Sequence, residues 1–506
     1  MRLALLPLDD RPVSVSLPGE VLAVAGVDVF APGPDLRPHL RAAPDPAALA
    51  AWLADARTDA DAAVVSLDAL GSGSLIASRT GDETVADVLR TWEATASPGC
   101  PVHAAVVVPR TPDSSDATEE PAYWDPHGPA LHALSAELSD GTDLRRAVAA
   151  AASAASPATA VPVVPDDIVR DWLGRRMRRH ALALAALDLL RHGRLATLVV
   201  GVDDAAPRSL SAVAQEDLSR WVDRLGLDDD ALVHPGADET GVVLAARALV
   251  RLVGDPGPVV AVVCADDEGL RRPAPYETGP VALTVERQLR AAGARPAMDD
   301  EDGVPADAVL VVHAPAPPQY PGDWAVAPPR RTDEAAARAT AHLVARLVGE
   351  GRRVAVADVA HANGADPALA AALGEAGLWP ALDGYAAWNT AGNTLGTVAA
   401  QLVVASVARA TGTFDAAAHR RMVARRVAED LGWMSHVRAE VRAELGSDPT
   451  RHDVVRLDDA RRTVWEARIT GVLRATPGFE DVRVRPGSLR LPWDRTFEID
   501  LEVETT

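Results

Sequence analysis

Short apolar runs alternate with helical stretches rich in Ala, Leu and Arg along most of the chain. The runs are mostly Val, Leu and Ala without a polar residue at every second position, which is typical of strands buried on both faces of a parallel sheet. The predicted strands are residues 2–8, 62–67, 102–108, 196–202, 231–234, 259–264, 308–312, 354–359 and 383–388, and residues 27–30 are a further candidate. This alternation predicts an α/β fold.

The number of strand–helix units favours a closed barrel. Eight or more strands with intervening helices suit a (β/α)8-type, TIM-like barrel, which we predict for residues 1–410. No GxGxxG or P-loop pattern follows any strand, so the sequence does not favour two nucleotide-binding halves. An open doubly wound sheet remains the alternative.

Two segments are predicted to lie outside the barrel core. Residues 111–194 form a long insertion that begins with a polar, proline-rich stretch and continues as helix. Beyond residue 411, amphipathic helical sequence gives way to a β-like ending. We expect residues 411–506 to form a C-terminal accessory region that covers the core or supplies one wall of a site.

Polar residues follow almost every predicted strand. After residues 196–202 come Asp203 and Asp204, and the other strand ends are followed by Asp9-Asp10-Arg11, by Asp68 with Arg79, by Arg110, by Asp238-Glu239, by Asn363 and by Trp388-Asn389 with Asn393. Each group alone also suits a turn or a helix cap. Because the carboxyl ends of parallel strands share one rim, the recurrence favours a common polar pocket.

Composition narrows the classes of function. The net charge of −22 argues against nonspecific nucleic-acid binding, which needs positive potential. Cys100 and Cys264 have neither metal-ligand spacing nor the density of a disulfide scaffold. The apolar start of the chain is too short for a signal peptide, and no uninterrupted apolar segment is long enough to span a membrane. We expect a cytoplasmic protein without a nucleic-acid or membrane partner.

Several longer motifs carry a family resemblance. They are Pro7-Leu8-Asp9-Asp10-Arg11-Pro12, Ala77-Ser78-Arg79, Asp203-Asp204-Ala205, Gly236-Ala237-Asp238-Glu239, Trp388-Asn389-Thr390-Ala391-Gly392-Asn393 and Leu491-Pro492-Trp493-Asp494-Arg495-Thr496-Phe497-Glu498. With them the chain resembles, over nearly its whole length, a bacterial family described as domain of unknown function 4127. The resemblance implies no chemistry, so function must be argued from the polar residues.

A second resemblance is architectural and concerns the acid pair. With residues 27–30 left out, Asp203 and Asp204 end the fourth strand, where barrel N-acetylhexosaminidases of the O-GlcNAcase type carry adjacent acids. That similarity implies a retaining glycoside hydrolase with substrate assistance, in which the substrate's 2-acetamido oxygen attacks the anomeric carbon. Asp203 would orient the amide, and Asp204 would protonate the leaving oxygen.

The other polar residues receive roles within the same hypothesis. Asp238 and Glu239 are a competing catalytic pair, although they also suit the start of a helix. The predicted binding residues for a small-molecule or oligosaccharide substrate are Asp9, Asp10, Arg11, Asp68, Arg79, Arg110, Asn363, Trp388, Asn389 and Asn393. Such side chains bind sugar hydroxyls or stack on sugar rings. No cofactor is predicted.

Two further classes of function stay open. A metal-dependent hydrolase would gather Asp9, Asp10, Asp203, Asp204 and His361 around a divalent ion, although the sequence has no HxH, HExxH or Cys/His cluster. A non-catalytic sugar-binding barrel would show the same polar rim without an acid of raised pKa.

Overall fold

The strands form where the apolar runs predict them. The computed structural model describes residues 1–96, 98–148, 164–297, 306–315, 333–448 and 451–505. Its strands are β1 (Arg2–Leu6), β2 (Asp28–Phe30), β3 (Ala62–Ser66), β4 (Val102–Val108), β5 (Thr197–Val202), β6 (Ala231–Pro235), β7 (Val259–Cys264), β8 (Arg295–Ala297), β9 (Ala308–His313), β10 (Val354–Asp358), β11 (Leu382–Ala386), β12 (Val482–Val484) and β13 (Val503–Thr505). Only β8 and the C-terminal pair lack a predicted counterpart with bounds.

Helices connect these strands. The α-helices are α1 (Pro12–Ala23), α2 (Pro46–Asp59), α3 (Leu67–Ser72), α4 (Leu75–Thr80), α5 (Val85–Trp92), α6 (Trp124–Ser139), α7 (Asp166–Arg191), α8 (Leu210–Leu225), α9 (Thr240–Val253), α10 (Val281–Ala292), α11 (Glu334–Gly349), α12 (Pro367–Glu375), α13 (Ala391–Thr411), α14 (Ala416–Val427), α15 (Arg438–Leu445) and α16 (Asp459–Ala475). A π-helical segment, Ala428–Val437, joins α14 to α15. Short 3-10 helices lie at Pro34–Leu36, Glu93–Ala96, Gly269–Arg271, Trp379–Ala381 and Pro492–Asp494.

The strands assemble into two parallel sheets. The first has the order β2-β1-β3-β4-β5-β6 and the second the order β11-β10-β9-β7-β8, while β12 and β13 form a separate antiparallel pair. When the strands of each sheet are numbered in chain order, the second sheet has the doubly wound order 2-1-3-4-5 from β8 to β11, and the first has the same order with one added strand, 2-1-3-4-5-6, from β2 to β6. The α/β class with parallel strands is therefore confirmed.

The closed barrel predicted from the strand count is not observed. Within the described ranges no hydrogen-bonded ladder joins the two sheets. After β6 the chain enters α9, and β7 pairs with β8 and β9 in the second sheet. Strand number and strand–helix alternation are the same in a barrel and in two open sheets, so only the pairing at the sheet edges separates them.

Both faces of the first sheet are buried, which explains its continuous apolar runs. Leu3 and Leu5 point toward a core that includes α1 and α9. Ala4 and Leu6 point to the opposite face, which α2, α5, α7 and α8 cover. Because side chains alternate between two buried faces, the middle of each strand is apolar, and the buried polar residues His103 and Thr197 near the strand starts contact each other.

Helices α9 and α13 join the two sheets. α9 packs on β3, β4 and β5, α13 packs on β9, β10 and β11, and the two helices pack on each other. α13 has the length and apolar composition of a membrane span, the single such helix among the described residues, and 94% of its most apolar window is buried inside the protein. Its apolar side chains therefore belong to the core between the sheets.

The parts predicted to lie outside the core also pack on it. Of the insertion, the structure describes residues 111–148 and 164–194, and residues 149–163 lie outside the described ranges. Beyond residue 411, α14 packs on α1 and β11, and α16 packs on the π-helical segment and β12. The domain boundary after residue 410 stays a prediction.

Gly392, in the first turn of α13, sets how closely the two sheets approach. A Cβ at Gly392 would lie 2.5 Å from the carbonyl oxygen of Pro235 at the end of β6. Both groups are backbone, so neither can rotate away. The end of the first sheet and the start of α13 can meet here only without a side chain.

We predict that Gly392→Ala lowers the free energy of unfolding by about 1–3 kcal/mol because the added methyl overpacks this contact. The matched control is Gly174→Ala in α7, where a Cβ meets nothing within 4 Å. That change should stabilise the protein by about 0.5–1 kcal/mol through helix propensity. Urea unfolding measures both effects. Equal stability of the two variants would contradict the close approach of the sheets.

Candidate functional site

A polar cavity of about 40 Å³ lies where the carboxyl ends of the first sheet face loops of the second sheet and the C-terminal region. It is lined by Arg11, Leu75, Arg79, Arg110, Glu119, Asp203, Asp204, Asp238, Tyr276, Asn363, Asn389, Thr390, His452, Arg495 and Phe497. The strand ends of the first sheet thus converge, as parallel strands require, but the opposite walls come from outside that sheet.

The acid pair after β5 has two different environments. The Asp203 carboxylate accepts a hydrogen bond from the Arg79 guanidinium, and its backbone N–H donates to the carbonyl oxygen of Val108. The Asp204 carboxylate has a weaker contact, 3.3 Å from Nη1 of Arg110, and its side chain is 25% exposed. The two acids therefore differ in how firmly an arginine holds them.

Because of this difference, the two acids can have different chemical roles. Burial, together with the neighbouring charge of Asp203, raises the pKa of Asp204 to about 7. At neutral pH a large fraction of Asp204 therefore carries a proton, while Asp203 faces the guanidinium of Arg79. A proton donor beside a carboxylate held by a cation is the arrangement that general acid catalysis needs.

Arg11 links two strand ends on the opposite side of the cavity. Its Nη2 donates to Oδ2 of Asp9 at 2.7 Å and to Oδ1 of Asp238 at 2.6 Å. Asp238 also accepts a hydrogen bond from Nδ2 of Asn389 at 3.0 Å, and its backbone N–H donates to Oδ1 of Asn393 at 3.2 Å. Asp238 is thereby fixed by both sheets.

The insertion supplies two carboxylates that sequence reasoning missed. Oε2 of Glu119 accepts from Nη2 of Arg110 at 2.8 Å, and Oε1 of Glu120 accepts from Nε of Arg110 at 2.9 Å and from Nη1 of Arg79 at 3.2 Å. Although burial opposes it, the charges of Arg495 and Arg110 hold the pKa of Glu119 well below its usual value. The sequence signal was weak, since both residues lie in a proline-rich stretch that predicts a loop.

The C-terminal region completes the cavity. Arg495 donates to Glu119 and, at 2.9 Å, to Oε1 of Glu498. Burial raises the pKa of Glu498 to about 7 despite this contact. His452 and Phe497 line the same wall. The sequence predicted a wall from this region and named Arg495, Phe497 and Glu498 within a family motif, but it gave them no role in a site and did not single out His452.

Six predicted site residues do not line the cavity. Asp9 and Asn393 each accept a hydrogen bond from a lining residue, Asp9 from Arg11 and Asn393 from the backbone N–H of Asp238. Asp10 accepts a hydrogen bond from the Trp493 indole of the C-terminal region at 2.8 Å. Asp68 is buried under the site and accepts from Arg179 and from the backbone N–H of Val107. Trp388 and Glu239 are also buried. The eight predicted residues that do line it are Arg11, Arg79, Arg110, Asp203, Asp204, Asp238, Asn363 and Asn389.

Glu239 and Trp388 have partners away from the cavity. Glu239 is fully buried, accepts a hydrogen bond from Nε2 of Gln288 at 2.6 Å, and has a pKa that burial raises to about 8. It occupies the N-cap position of α9, but its side chain makes no capping bond. The Trp388 indole donates to Thr397 within α13. Neither side chain can stack on or contact a ligand in this cavity as it stands.

Backbone strain is concentrated at the cavity. Of the six non-glycine residues with positive φ among the described residues, Tyr276, Asn363 and Asn389 line it, with φ of 66°, 59° and 53°. Asn tolerates this conformation better than most residues, whereas a tyrosine there is held by its surroundings. Such outliers are commonest at functional sites.

The carboxylates that line the cavity contact arginine guanidinium groups. Among the residues that the structure describes, no group of three or more His, Cys, Asp or Glu side chains is placed to hold a metal ion. His361, which the metal hypothesis included, is not among the lining residues. The oxygens of Asp203, Asp238 and Glu119 all contact guanidinium groups.

A family model described as Protein of unknown function (DUF4127) matches residues 3–502, nearly the whole chain. The searches of curated proteins and of solved structures found no match.

We predict opposite effects on stability for the two acids of the pair. Because the pKa of Asp204 is raised from 3.8 to about 7 on folding, its stabilising contribution is complete below about pH 4 and is lost as the pH rises through about 7. Asp204→Asn should therefore be more stable than the natural chain at pH 8, by about 1–3 kcal/mol. The gain should shrink toward pH 4, as urea unfolding at several pH values can measure.

Asp203→Asn is the matched comparison. It removes the carboxylate that faces Arg79 and should lower the free energy of unfolding at pH 8 by about 2–4 kcal/mol. A loss of similar size in Asp204→Asn at pH 8 would show that the two acids are equally held and that our distinction between them is wrong.

Proposed function

We propose a function for this chain, which belongs to the DUF4127 family, from the chemistry of the central cavity: it hydrolyses glycosidic bonds, with Asp204 as the proton donor. One observation carries the proposal. The carboxyl group of Asp204 faces the cavity, is partly exposed, has a pKa raised to about 7, and lies beside a carboxylate that Arg79 holds. A carboxyl group with such a pKa can protonate a leaving oxygen at neutral pH.

The exposure of the lining residues favours a ligand rich in hydroxyl groups. Side chains of Arg11, Arg79 and Arg495 are only 2–4% exposed, and carboxylates cover them. Arg110, Asp203 and Asp238 are each 11% exposed and Asp204 is 25% exposed. A ligand in the cavity therefore meets carboxylate oxygens, the amides of Asn363 and Asn389 and one guanidinium group. Hydroxyl groups donate hydrogen bonds to carboxylates, whereas a phosphate or a sugar acid would be repelled by them.

The finer proposal is a retaining, N-acetylhexosaminidase-like mechanism. The 2-acetamido oxygen of the substrate attacks the anomeric carbon while Asp204 gives its proton to the leaving oxygen, and Asp203 orients the amide. Water then opens the cyclic intermediate as Asp204 accepts a proton. The burial of Glu239 favours Asp203 and Asp204 over Asp238 and Glu239 for these roles.

The cavity must enlarge to admit a sugar ring. Its volume of about 40 Å³ holds roughly three water molecules, since each needs about 10–15 Å³ on this scale. The wall made by His452, Arg495 and Phe497 comes from the C-terminal region, outside both large sheets. The proposal therefore includes a movement of this wall away from the strand ends. We further propose that the substrate is a small glycoside or an oligosaccharide and that the protein is cytoplasmic.

We predict that the effect of Asp204→Asn depends on the leaving group. Aryl glycosides with acidic phenols leave without protonation, whereas simple alkyl glycosides need the proton. Asp204→Asn should lower kcat on N-acetylhexosaminides by about 10²- to 10⁴-fold for alkyl leaving groups and far less for nitrophenol. Asp203→Asn should slow both.

The control for this series is Asp188→Asn, an exposed acid on α7 that contacts Arg191 and His192 and is not among the lining residues. It should leave kcat and KM unchanged. Full activity of both Asp203→Asn and Asp204→Asn on both substrate types would refute the assignment of Asp203 and Asp204 as the catalytic pair. Sugar binding without turnover on a broad glycoside panel would instead favour a non-catalytic sugar-binding protein.

The pH dependence of kcat/KM gives an independent check. Since the pKa of Asp204 is about 7 and the protonated form is the acid, kcat/KM should fall as the pH rises above about 7. In Asp204→Asn this alkaline decline should disappear from the residual activity. An unchanged decline in that variant would mean that another group titrates.

A further inference from the structure

Two asparagines of the cavity stand on strained and mutually bonded loops. Asn363 and Asn389 follow β10 and β11 and both have left-handed backbone conformations. The backbone N–H of Asn363 donates to the carbonyl oxygen of Asn389 at 2.7 Å, and Nδ2 of Asn389 donates to Asp238. Such a conformation persists only where neighbouring contacts impose it.

Asp430 makes contacts with both loops. Its Oδ2 accepts a hydrogen bond from the backbone N–H of Ala387 at 2.7 Å, and its backbone carbonyl oxygen accepts from the N–H of Ala365 at 3.0 Å. Each of these alanines lies two residues from one of the asparagines. Asp430 is fully buried, so no solvent competes for these bonds.

The π-helical segment explains how one residue can serve two loops. Asp430 lies within Ala428–Val437, where the wider helical turn changes the partners of the backbone carbonyl oxygens. Oγ of Ser435, in the same segment, contacts the carbonyl oxygens of both Asp430 and Ala365, at 2.9 and 2.8 Å. This bridge ties the segment to the loop that carries Asn363.

Neighbouring acids do not have this double role. Asp358, at the end of β10, accepts from the backbone N–H of Asp366 at 2.6 Å and from the Tyr385 hydroxyl at 3.3 Å. Those bonds hold the far end of one loop and the strand before the other. The contact of Arg426 with Asp430 is longer, at 3.5 Å, and Arg426 also contacts Glu429.

We propose that Asp430 is a positioning residue that fixes Asn363 and Asn389 at the cavity, an inference that rests on the proposed glycosidase function for its kinetic consequence. Its carboxylate oxygen accepts a hydrogen bond from Ala387 in the loop of Asn389. Its backbone carbonyl oxygen accepts a hydrogen bond from Ala365 in the loop of Asn363. The two asparagines then present their amides to the same ligand and to Asp238.

The test compares Asp430→Asn, which keeps an acceptor oxygen for the Ala387 N–H, with Asp430→Ala, which does not. On a glycoside that the enzyme turns over, Asp430→Ala should raise KM by about 10- to 100-fold with little change in kcat, because the amides of Asn363 and Asn389 then contribute less to binding of the ground state and the transition state alike. Asp430→Asn should stay within about threefold of the natural chain. Equal KM values for all three proteins would overturn the proposal.

Hydrogen exchange separates this inference from the proposed function. In Asp430→Ala, amides of residues 385–393 should exchange faster because the side-chain acceptor of the Ala387 N–H is lost. Amides of residues 361–366 should change less, since the backbone carbonyl of residue 430 still accepts from Ala365, and those of β3 should not change. Asp430→Asn should resemble the natural chain. If no glycoside is turned over, the glycosidase proposal fails but this measurement still decides the positioning role. Unchanged exchange in both loops would refute it.

Ser435→Ala provides a milder variant if Asp430→Ala does not fold. It removes the hydroxyl that bridges Asp430 and Ala365 and should accelerate exchange in residues 361–366 more than in residues 385–393, since the Ala387 bond remains. Exchange that rises equally throughout the protein would show a general loss of stability and would count against a specific positioning role.

Discussion

The structure depends on the pairing of buried charges. The guanidinium groups of Arg11, Arg79, Arg110 and Arg495 lie around the centre of the protein, where removal from water costs several kcal/mol for each charge unless carboxylates compensate. The compensating acids come from three separate parts of the chain: Asp9, Asp203 and Asp238 from strand ends of the first sheet, Glu119 from the insertion and Glu498 from the C-terminal region. These parts must therefore assemble together, because each supplies charges that the others need.

The same network explains why one acid is available for chemistry. Arg79 contacts Asp203 closely and Arg11 holds Asp238, whereas Asp204 has a single guanidinium contact at 3.3 Å and keeps a quarter of its side chain exposed. Burial then outweighs the attraction of Arg110 and raises the pKa of Asp204. With more carboxylates than arginines in the network, burial raises the pKa values of both Asp204 and Glu498 to about 7, and of these two acids Asp204 is the one that lines the cavity.

Much of the site followed from the periodicity of the chain. Apolar runs located the strands, and the rule that parallel strands end on one side placed Arg11, Asp203 and Asp238 together. The sequence did not predict Glu119, Tyr276 and Arg495 as site residues, because they lie in loops whose path no local pattern determines. Trp388 was expected to face a sugar, but its indole donates to Thr397 in the core, since a residue just after a strand can turn either way.

The sequence by itself determined the parallel α/β class, the strand positions and the polar strand ends, since these follow from side-chain alternation and local turn chemistry. Tertiary structure decided that the strands in the described ranges pair into two sheets, because that choice rests on which strand edges form hydrogen bonds. It also decided that, of the pair Asp203 and Asp204, Asp204 has the raised pKa. The close approach at Gly392 and the pairing of arginines from distant segments bring these groups together, and no local pattern encodes such contacts.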